Sequence, residues 1–444
     1  MTAILNIIEI IVDKITNSTT EQEFLFLSKI IEKLNVNKVK TVTLYTDMFD
    51  DSYTYGDLYF VETENSLYYS FGPNRLKVVE GSPSLFSFGE NGSGQLGDNT
   101  GIGKQSPVSV VGGFTDWIYS SSGFSHNHVI RSNGTLWGWG YNGNGRIGDN
   151  TVTVRSSPVS VVGGFTDWTE VSAGNAFSLG LRANGTAWAW GNNTRGQLGD
   201  ETIVSKLSPV SVVGGYVDWI QVSAGPASFP HSVGLRANGT AWSWGNNGNG
   251  QLGDNTLVSK SSPVSVVGGF TDWTQVSAGG YHSLGIRENG TAWAWGANTN
   301  GRLGDNTTVG KSSPVSVVGG YTDWVQVSAG DRHNLGIRAN GTAWAWGYNL
   351  YGRLGDGTTV SKSSPVSVVG GFTDWVQVSA NIHSVGLRLN GTAWGWGGNG
   401  SGRLGDGTVT SRLSPASVIG GFGNFNDWVQ LNAGGAFSVG IGTL

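Results

Sequence analysis

The stretch HSLGIRENGTAWAWG, residues 282–296, decides the fold. Two arms flank Asn289-Gly290, and Asn-Gly supplies the positive φ angles of a type I′ turn, which joins antiparallel strands with the right twist. In the second arm a period of two puts Trp293 and Trp295 on one face and Ala294 on the other. The same turn recurs at Asn133, Asn184, Asn238, Asn340 and Asn390, with Gly138, Ala189, Ser243, Ala345 and Gly395 as the small middle residue. One bulky face and one small face suit a twisted blade packed on its neighbours in a ring. Each buried indole removes roughly 150–250 Å² from water, so a ring of such pairs can form the core.

The hairpins are one part of a longer period. The string LGD or IGD recurs with its glycine at 97, 148, 199, 253, 304, 355 and 405, giving intervals of 51, 51, 54, 51, 51 and 50. Seven copies at a fixed spacing mark a repeat architecture. One period contains a strand, a glycine-rich loop, SPVSVVGG, an Asp-Trp pair, a second short strand and the hairpin. All 19 tryptophans fall in six W-x-W pairs or at Trp117, Trp168, Trp219, Trp273, Trp324, Trp375 and Trp428, so core packing accounts for them without a chromophore or ligand cage.

The chain closes on FSVGIG, 437–442, which lacks a TAWAWG partner. That partner stands at the other end of the repeats as SLFSFG, 84–89, with Phe86, Ser87 and Phe88 in the Trp-small-Trp positions. Pairing of these two segments, through Phe86, Phe88, Phe437 and Val439, predicts a split blade that closes the ring and removes exposed edges.

Composition agrees with an all-β reading: 444 residues, 38% hydrophobic, 13% charged, with 72 glycines. The absence of cysteine excludes a disulfide framework, a thiolate metal site and a cysteine nucleophile. A net charge of −5 without basic runs gives no field to attract nucleic acid. The opening MTAILNIIEIIVDKITN has no leading Lys or Arg and carries Glu9 inside its apolar run, which argues against a signal peptide. Its uncharged run falls short of the roughly 20 residues that span a bilayer, so no membrane insertion is expected.

Residues 244–254 (WGNNGNGQLGD), 262–267 (SPVSVV), 277–286 (SAGGYHSLGI) and Asn289-Gly290 resemble the regulator of chromosome condensation repeat. The resemblance covers about residues 84–444 and implies a seven-bladed β-propeller. The best-known family activity, nucleotide exchange on a small GTPase with nucleosome binding, uses an inserted wedge and a basic tail that are missing here. A fold alone does not transfer function, so the resemblance implies a binding platform.

Several columns invite chemistry. His126, Phe177, His231, His282, His333, His383 and Phe437 share one column, and phenylalanine at two positions favours inter-blade packing with a local hydrogen bond over a metal site. The LGD aspartates, Asp98, Asp149, Asp200, Asp254, Asp305, Asp356 and Asp406, lack a second carboxylate at chelating spacing and read as turn caps. The six N-G-T sequons are required by the turn itself. Lys104, Arg155, Lys206, Lys260, Lys311, Lys362 and Arg412 form a basic rim, offset by fourteen aspartates at the LGD and Asp-Trp positions. No nucleophile–base pair or phosphate loop stands outside the repeat, so no catalytic residue, cofactor or metal is expected.

Partner recognition should lie where the copies differ. Tyr348, Leu350 and Tyr351 replace small polar residues in one loop, and an insertion brings Pro226, Phe229 and Pro230. Exposed aromatics on a rigid loop are anchors for a protein or a glycan.

Residues 1–80 do not repeat and are expected to form a separate α+β unit. Residues 3–16 read as a helix, and Thr20 with Glu23 caps a second one. Ile7, Ile8, Ile11, Phe24, Leu27 and Ile31 are its docking residues, followed by a hairpin over 57–72. The order of these parts resembles attachment modules at the start of marine phage virion proteins. The expectation is therefore a non-enzymatic virion protein in multiple copies: residues 1–80 dock on other virion proteins, and the head at 84–444 meets a host-surface protein or glycan. The alternatives are a cytosolic protein-interaction or regulatory propeller whose helices dimerise, and a glycan-binding propeller that uses the loop aromatics.

Overall fold

A computed structural model describes residues 58–61, 66–70, 76–79, 83–227, 229–419 and 428–443. The expected helices and the docking residues Ile7, Ile8, Ile11, Phe24, Leu27 and Ile31 lie outside the described residues. Before the ring, Leu58–Val61 and Ser66–Ser70 pair as the expected hairpin, and Leu76–Val79 adds a third strand.

The rest is seven four-stranded antiparallel sheets, one per repeat. We number the blades from Trp117, so that blade 4 comprises the strands Trp273–Ala278, His282–Arg287, Ala292–Gly296 and Lys311–Ser316. The first strand of each blade is innermost and the fourth outermost. That fourth strand runs into the SPVSVVGG segment, Lys311–Ser316 reading KSSPVS. Its proline is tolerated because the strand is an outer edge, where one side of the ladder needs no donor.

Blade 7 is made from both ends of the repeat region: Trp428–Ala433, Phe437–Thr443, Pro83–Gly89 and Lys104–Ser109. The register runs Phe437 opposite Gly89, Val439 opposite Ser87 and Gly440 opposite Phe86. Phe86, Phe88, Phe437 and Val439 are all buried in one cluster with Trp428.

The Asn-Gly turn works through its side chains as well as its backbone. Asn289 Oδ1 accepts from the N–H and hydroxyl of Thr291, and Thr291 Oγ1 in turn accepts from Trp293 Nε1 at 3.0 Å. The first tryptophan of each pair is thus half-buried with a satisfied N–H, whereas the second is wholly buried between blades. Trp244 Nε1 donates to the Gln197 carbonyl of the preceding blade at 3.0 Å, and Trp190 reaches Arg146 in the same way at 2.9 Å.

Neighbouring blades are also laced around the axis. Backbone N–H groups of the innermost strands donate to glutamine side chains one blade back: Val276 to Gln221, Val327 to Gln275 and Val378 to Gln326, each at 2.8 Å. Ala278 and Ala380 donate to Ser223 and Ser328 in the same manner. A blade edge that would otherwise expose donors is satisfied by its neighbour.

The histidine column is structural. His231 Nε2 lies 2.8 Å from Ser283 Oγ, which itself donates to Gln251 O, so the imidazole is the donor. His282 reaches Asn334 Oδ1 at 2.6 Å, and His126, His333 and His383 meet Ser178, Ser384 and Ser438. Burial is the main cause that holds His231 down to about 4 and His282 down to about 3.

Each face of the ring has its own ion pairs, which revises the expected charge balance. The Asp-Trp aspartates bind the hairpin arginines, as in Asp272–Arg287 at 2.8 Å, at the Asn-Gly end of the blade. Only the LGD aspartates sit near the basic rim, as in Asp149–Arg155 at 2.7 Å and Asp200–Lys206 at 3.3 Å. The LGD aspartates are Asx-type caps, Asp254 Oδ1 accepting from Thr256 N at 3.0 Å.

Removing residues 437–444 leaves Pro83–Gly89 without its inner partner and should lower the tryptophan-fluorescence melting temperature by more than about 10 °C, or abolish a cooperative melt. An unchanged melt would count against ring closure. Because unfolding frees imidazoles held neutral by burial, the unfolded chain binds more protons below its pKa of about 6.5. Stability should therefore be full above that value and fall as pH drops from about 6.5 towards 4. Replacing His231 and His282 by phenylalanine, as in Phe177 of the same column, should flatten that slope in melts taken across the range.

Candidate functional site

Strand direction alternates, so the first-to-second and third-to-fourth loops of every blade emerge at one end. This LGD face carries both sets of candidates. Tyr348, Leu350 and Tyr351 belong to the LGD loop of blade 5, where Leu350–Gly352 forms a 3₁₀ turn. Leu350 and Tyr351 are 42% and 53% exposed. The insertion lies on the first loop of blade 3; its Phe229 is exposed, whereas Pro226 and Pro230 are buried and present no surface.

The two sets are joined by residues that the sequence reading passed over. Phe229 packs on Tyr281 of blade 4, ring centroids 5.1 Å apart. The Arg302 guanidinium stands 5.3 Å from the Tyr281 ring, and Arg353 and Arg332 stand 5.1 and 5.9 Å from Tyr348. Tyr351 reaches towards Gly398 of blade 6, next to the loop that carries Arg403. The result is an arc of aromatic and guanidinium groups across blades 3 to 6.

The signal for this arc was present in one column. The residue before each L-G-D or I-G-D is Gln95, Arg146, Gln197, Gln251, Arg302, Arg353 or Arg403, and arginine fills three successive blades only at 302, 353 and 403. Its carbonyl has a scaffold role: Arg302 O accepts from Asn334 Nδ2 and Trp346 Nε1, Arg353 O from Ser384 and Arg403 O from Ser438. Both residue types supply that carbonyl but use the side chain differently: Gln197 and Gln251 accept through Oε1 from the backbone N–H of Arg195 and Asn249 at 2.9 Å, whereas the arginines carry a charge there.

Those side chains are poorly neutralised. Burial pushes Arg302 down to about 10, still charged at neutral pH, and burial likewise lowers Arg353 and Arg403. Arg302 Nε donates to Thr299 O at 3.1 Å and Arg353 Nε to Leu350 O at 3.3 Å. Arg403 makes contacts of 3.4 and 3.5 Å to Ser401 and Gly435, and its buried Nε has no partner among the described residues. Asp331 is the nearby acid for Arg302 and Arg353, but it pairs at 3.3 Å with Arg332.

Tyr351 adds a second irregularity. Its φ is +64°, a left-handed conformation that is strained for a bulky residue, and Asn300 adopts the same conformation at the equivalent place in blade 4. Strain held at an exposed aromatic next to unpaired guanidinium groups is an observation from which a functional site can be argued.

Residues 84–440 match the RCC1-like domain family model. The chain is 26% identical over 289 residues to the ultraviolet-B receptor UVR8 of Arabidopsis thaliana, covering 64% of this chain and 65% of the receptor. It is 31% identical to the probable E3 ubiquitin-protein ligase HERC6 of Homo sapiens, over 56% of this chain but only 25% of the ligase. It is 27% identical to the mitochondrial RCC1 domain-containing protein RUG3 of Arabidopsis thaliana, covering 64% of this chain and 70% of that protein. The chain thus spans less than two thirds of the length of the receptor and a quarter of the ligase. The yeast RCC1 protein Prp20, solved bound to Kap60, superposes with a TM-score of 0.72 at 19% identity, over 82% of this chain and 90% of that one.

These relatives correct the expected role. They are proteins of a plant and of a human, so the reading as a virion appendage, with a virion location, is overturned, and the alternative of a cellular protein-interaction propeller fits better. The virion reading rested on the composition of residues 1–80, outside the repeat that carries the relationship.

Tyr351→Asn should raise stability by about 0.5–1 kcal/mol, because asparagine tolerates the left-handed conformation that tyrosine resists. Denaturant unfolding checks this; a loss of stability would show that the Tyr351 ring is anchored in the fold.

Proposed function

Because the chain belongs to the RCC1-like domain family, we propose that it is a non-catalytic propeller that presents its LGD face to a protein partner in the cell. The observation that carries this reading is the arc from Phe229 to Arg403, where exposed aromatics and guanidinium groups share a rigid surface. Tyrosine and arginine are the residue types that dominate binding energy at protein interfaces. The backbone beneath them is fixed by bonds to the next blade, so little ordering entropy is lost on association. Propeller relatives in fold are described as partner-binding proteins: Prp20 was solved bound to Kap60, and its binding to Gsp1p and histones has been examined. The division into a unit at 1–80 and a propeller at 84–444 is part of the same proposal.

The test places a photoreactive phenylalanine analogue at Tyr351, and in a control at Val217, an exposed residue of the opposite face. After irradiation of cells that make the full chain, position 351 should give a discrete protein adduct, identified by mass spectrometry and displaced by excess unlabelled protein. Adducts that are absent at 351, or equal at both positions, would refute the use of this face.

A further inference from the structure

The same molecule neutralises its arginines in two very different ways. Each of the six hairpin arginines, Arg131, Arg182, Arg236, Arg287, Arg338 and Arg388, holds an aspartate at 2.8 Å. Arg302, Arg353 and Arg403 are more desolvated than an ordinary surface arginine, and none of them has a carboxylate within salt-bridge distance among the described residues. A desolvated charge without its counter-ion is unfavourable, and an incoming carboxylate would relieve that at three adjacent blades at once.

We infer, resting on the partner-binding reading above, that the arc formed by Arg302, Arg332, Arg353 and Arg403 takes an acidic peptide segment of a partner protein. Aspartate or glutamate side chains engage the guanidinium edges, and an apolar side chain of the same segment lies against Tyr351 and Leu350. Guanidinium forks match carboxylates in a bidentate way, and the stacked tyrosines hold Arg302 and Arg353 in place before binding. The patch is short, and Glu90 faces Arg403 at its far end. A long polyanion such as nucleic acid would run off the arc onto a molecule of net charge −5, so a compact acidic segment fits better.

Glutamine already occupies this column at Gln95, Gln197 and Gln251, so Arg→Gln changes keep the scaffold carbonyl and should fold. Fluorescence anisotropy on the full chain would use labelled twelve-residue peptides of alternating Glu and Leu, their Gln and Leu counterparts, and a single-stranded oligonucleotide. The acidic peptide should bind at least about tenfold more tightly than the neutral one, and more weakly as salt rises. The combined Arg302→Gln, Arg353→Gln and Arg403→Gln variant should lose at least about tenfold, whereas Arg146→Gln, in blade 1, should lose nothing. Equal binding of the acidic and neutral peptides, or an unchanged triple variant, overturns the inference; tighter binding of the oligonucleotide overturns the peptide class. If the crosslink at 351 forms while acidic peptides fail, the face stands and its acidic partner falls.

Discussion

The contact between an LGD glycine and the second tryptophan of the following blade holds the ring together. Gly199 approaches Trp244 so closely that a Cβ would lie 2.8 Å from its Nε1, and Gly253 bears on Trp295 in the same way. Both glycines have positive φ, so backbone conformation and contact demand the same residue. The contact fixes each LGD loop onto its neighbour, and with it the carbonyl that receives the indole N–H of Trp139, Trp190, Trp244 and Trp346. At the closing blade Phe88 takes the indole's place, 2.8 Å from the Cβ position of Gly405. The ring therefore closes through the same contact that propagates it, without a hydrogen bond from the replaced indole.

Once that contact is periodic, the fold is readable from the chain. The period of the LGD strings, the Asn-Gly turns and the Trp-small-Trp pattern each encode a local geometry, and their agreement specifies a blade. The unfinished FSVGIG segment could be matched to SLFSFG because the hairpin has a fixed register. The outermost strand was harder: its proline suppresses the usual strand signal, and its pairing is interrupted by a bulge, as between Ala294 and Gly296. The inner glutamine and serine lacing was also missed, since Gln275 and Val327 become neighbours only after the blades are arranged in a circle.

The candidate site was legible only in pieces. Tyr348, Leu350, Tyr351 and Phe229 stood out as departures from the repeat, but the chain separates the two groups by more than a hundred positions. Strand alternation places them on one face, and Tyr281 and Arg302 join them. The arginine column escaped notice because alignment on the LGD string treats its predecessor as interchangeable between Gln and Arg. That interchange is true for the carbonyl that receives bonds from the next blade, and false for the side chain, which bonds within its own loop as glutamine and brings a charge to the surface as arginine. The role assigned from residues 1–80 failed for a different reason: apolar helix composition reports a need for burial, not the identity of what covers it.

A repeat protein separates stability from recognition more cleanly than an irregular fold. Nearest-neighbour contacts supply its cohesion, and any position that those contacts do not use can change in one blade without disturbing the rest. The arc shows how far this extends. His282 and His333 lie beneath it, neutral and bonded through Asn334 and Ser384 to the carbonyls of Arg302 and Arg353. The scaffold thus fixes the arginine backbones from below with uncharged groups, and the nearby acids, Asp331 and Glu90, form no ion pair with Arg302, Arg353 or Arg403 among the described residues. Placing the counter-charge in the fold, as the Asp-Trp aspartates do on the opposite face, would have stabilised the blade but cancelled the field. Leaving Arg302, Arg353 and Arg403 without a bonded carboxylate keeps a local positive potential on a molecule whose total charge is negative. Such a potential favours small acidic groups over extended polyanions, because attraction is confined to the arc while repulsion comes from the whole surface.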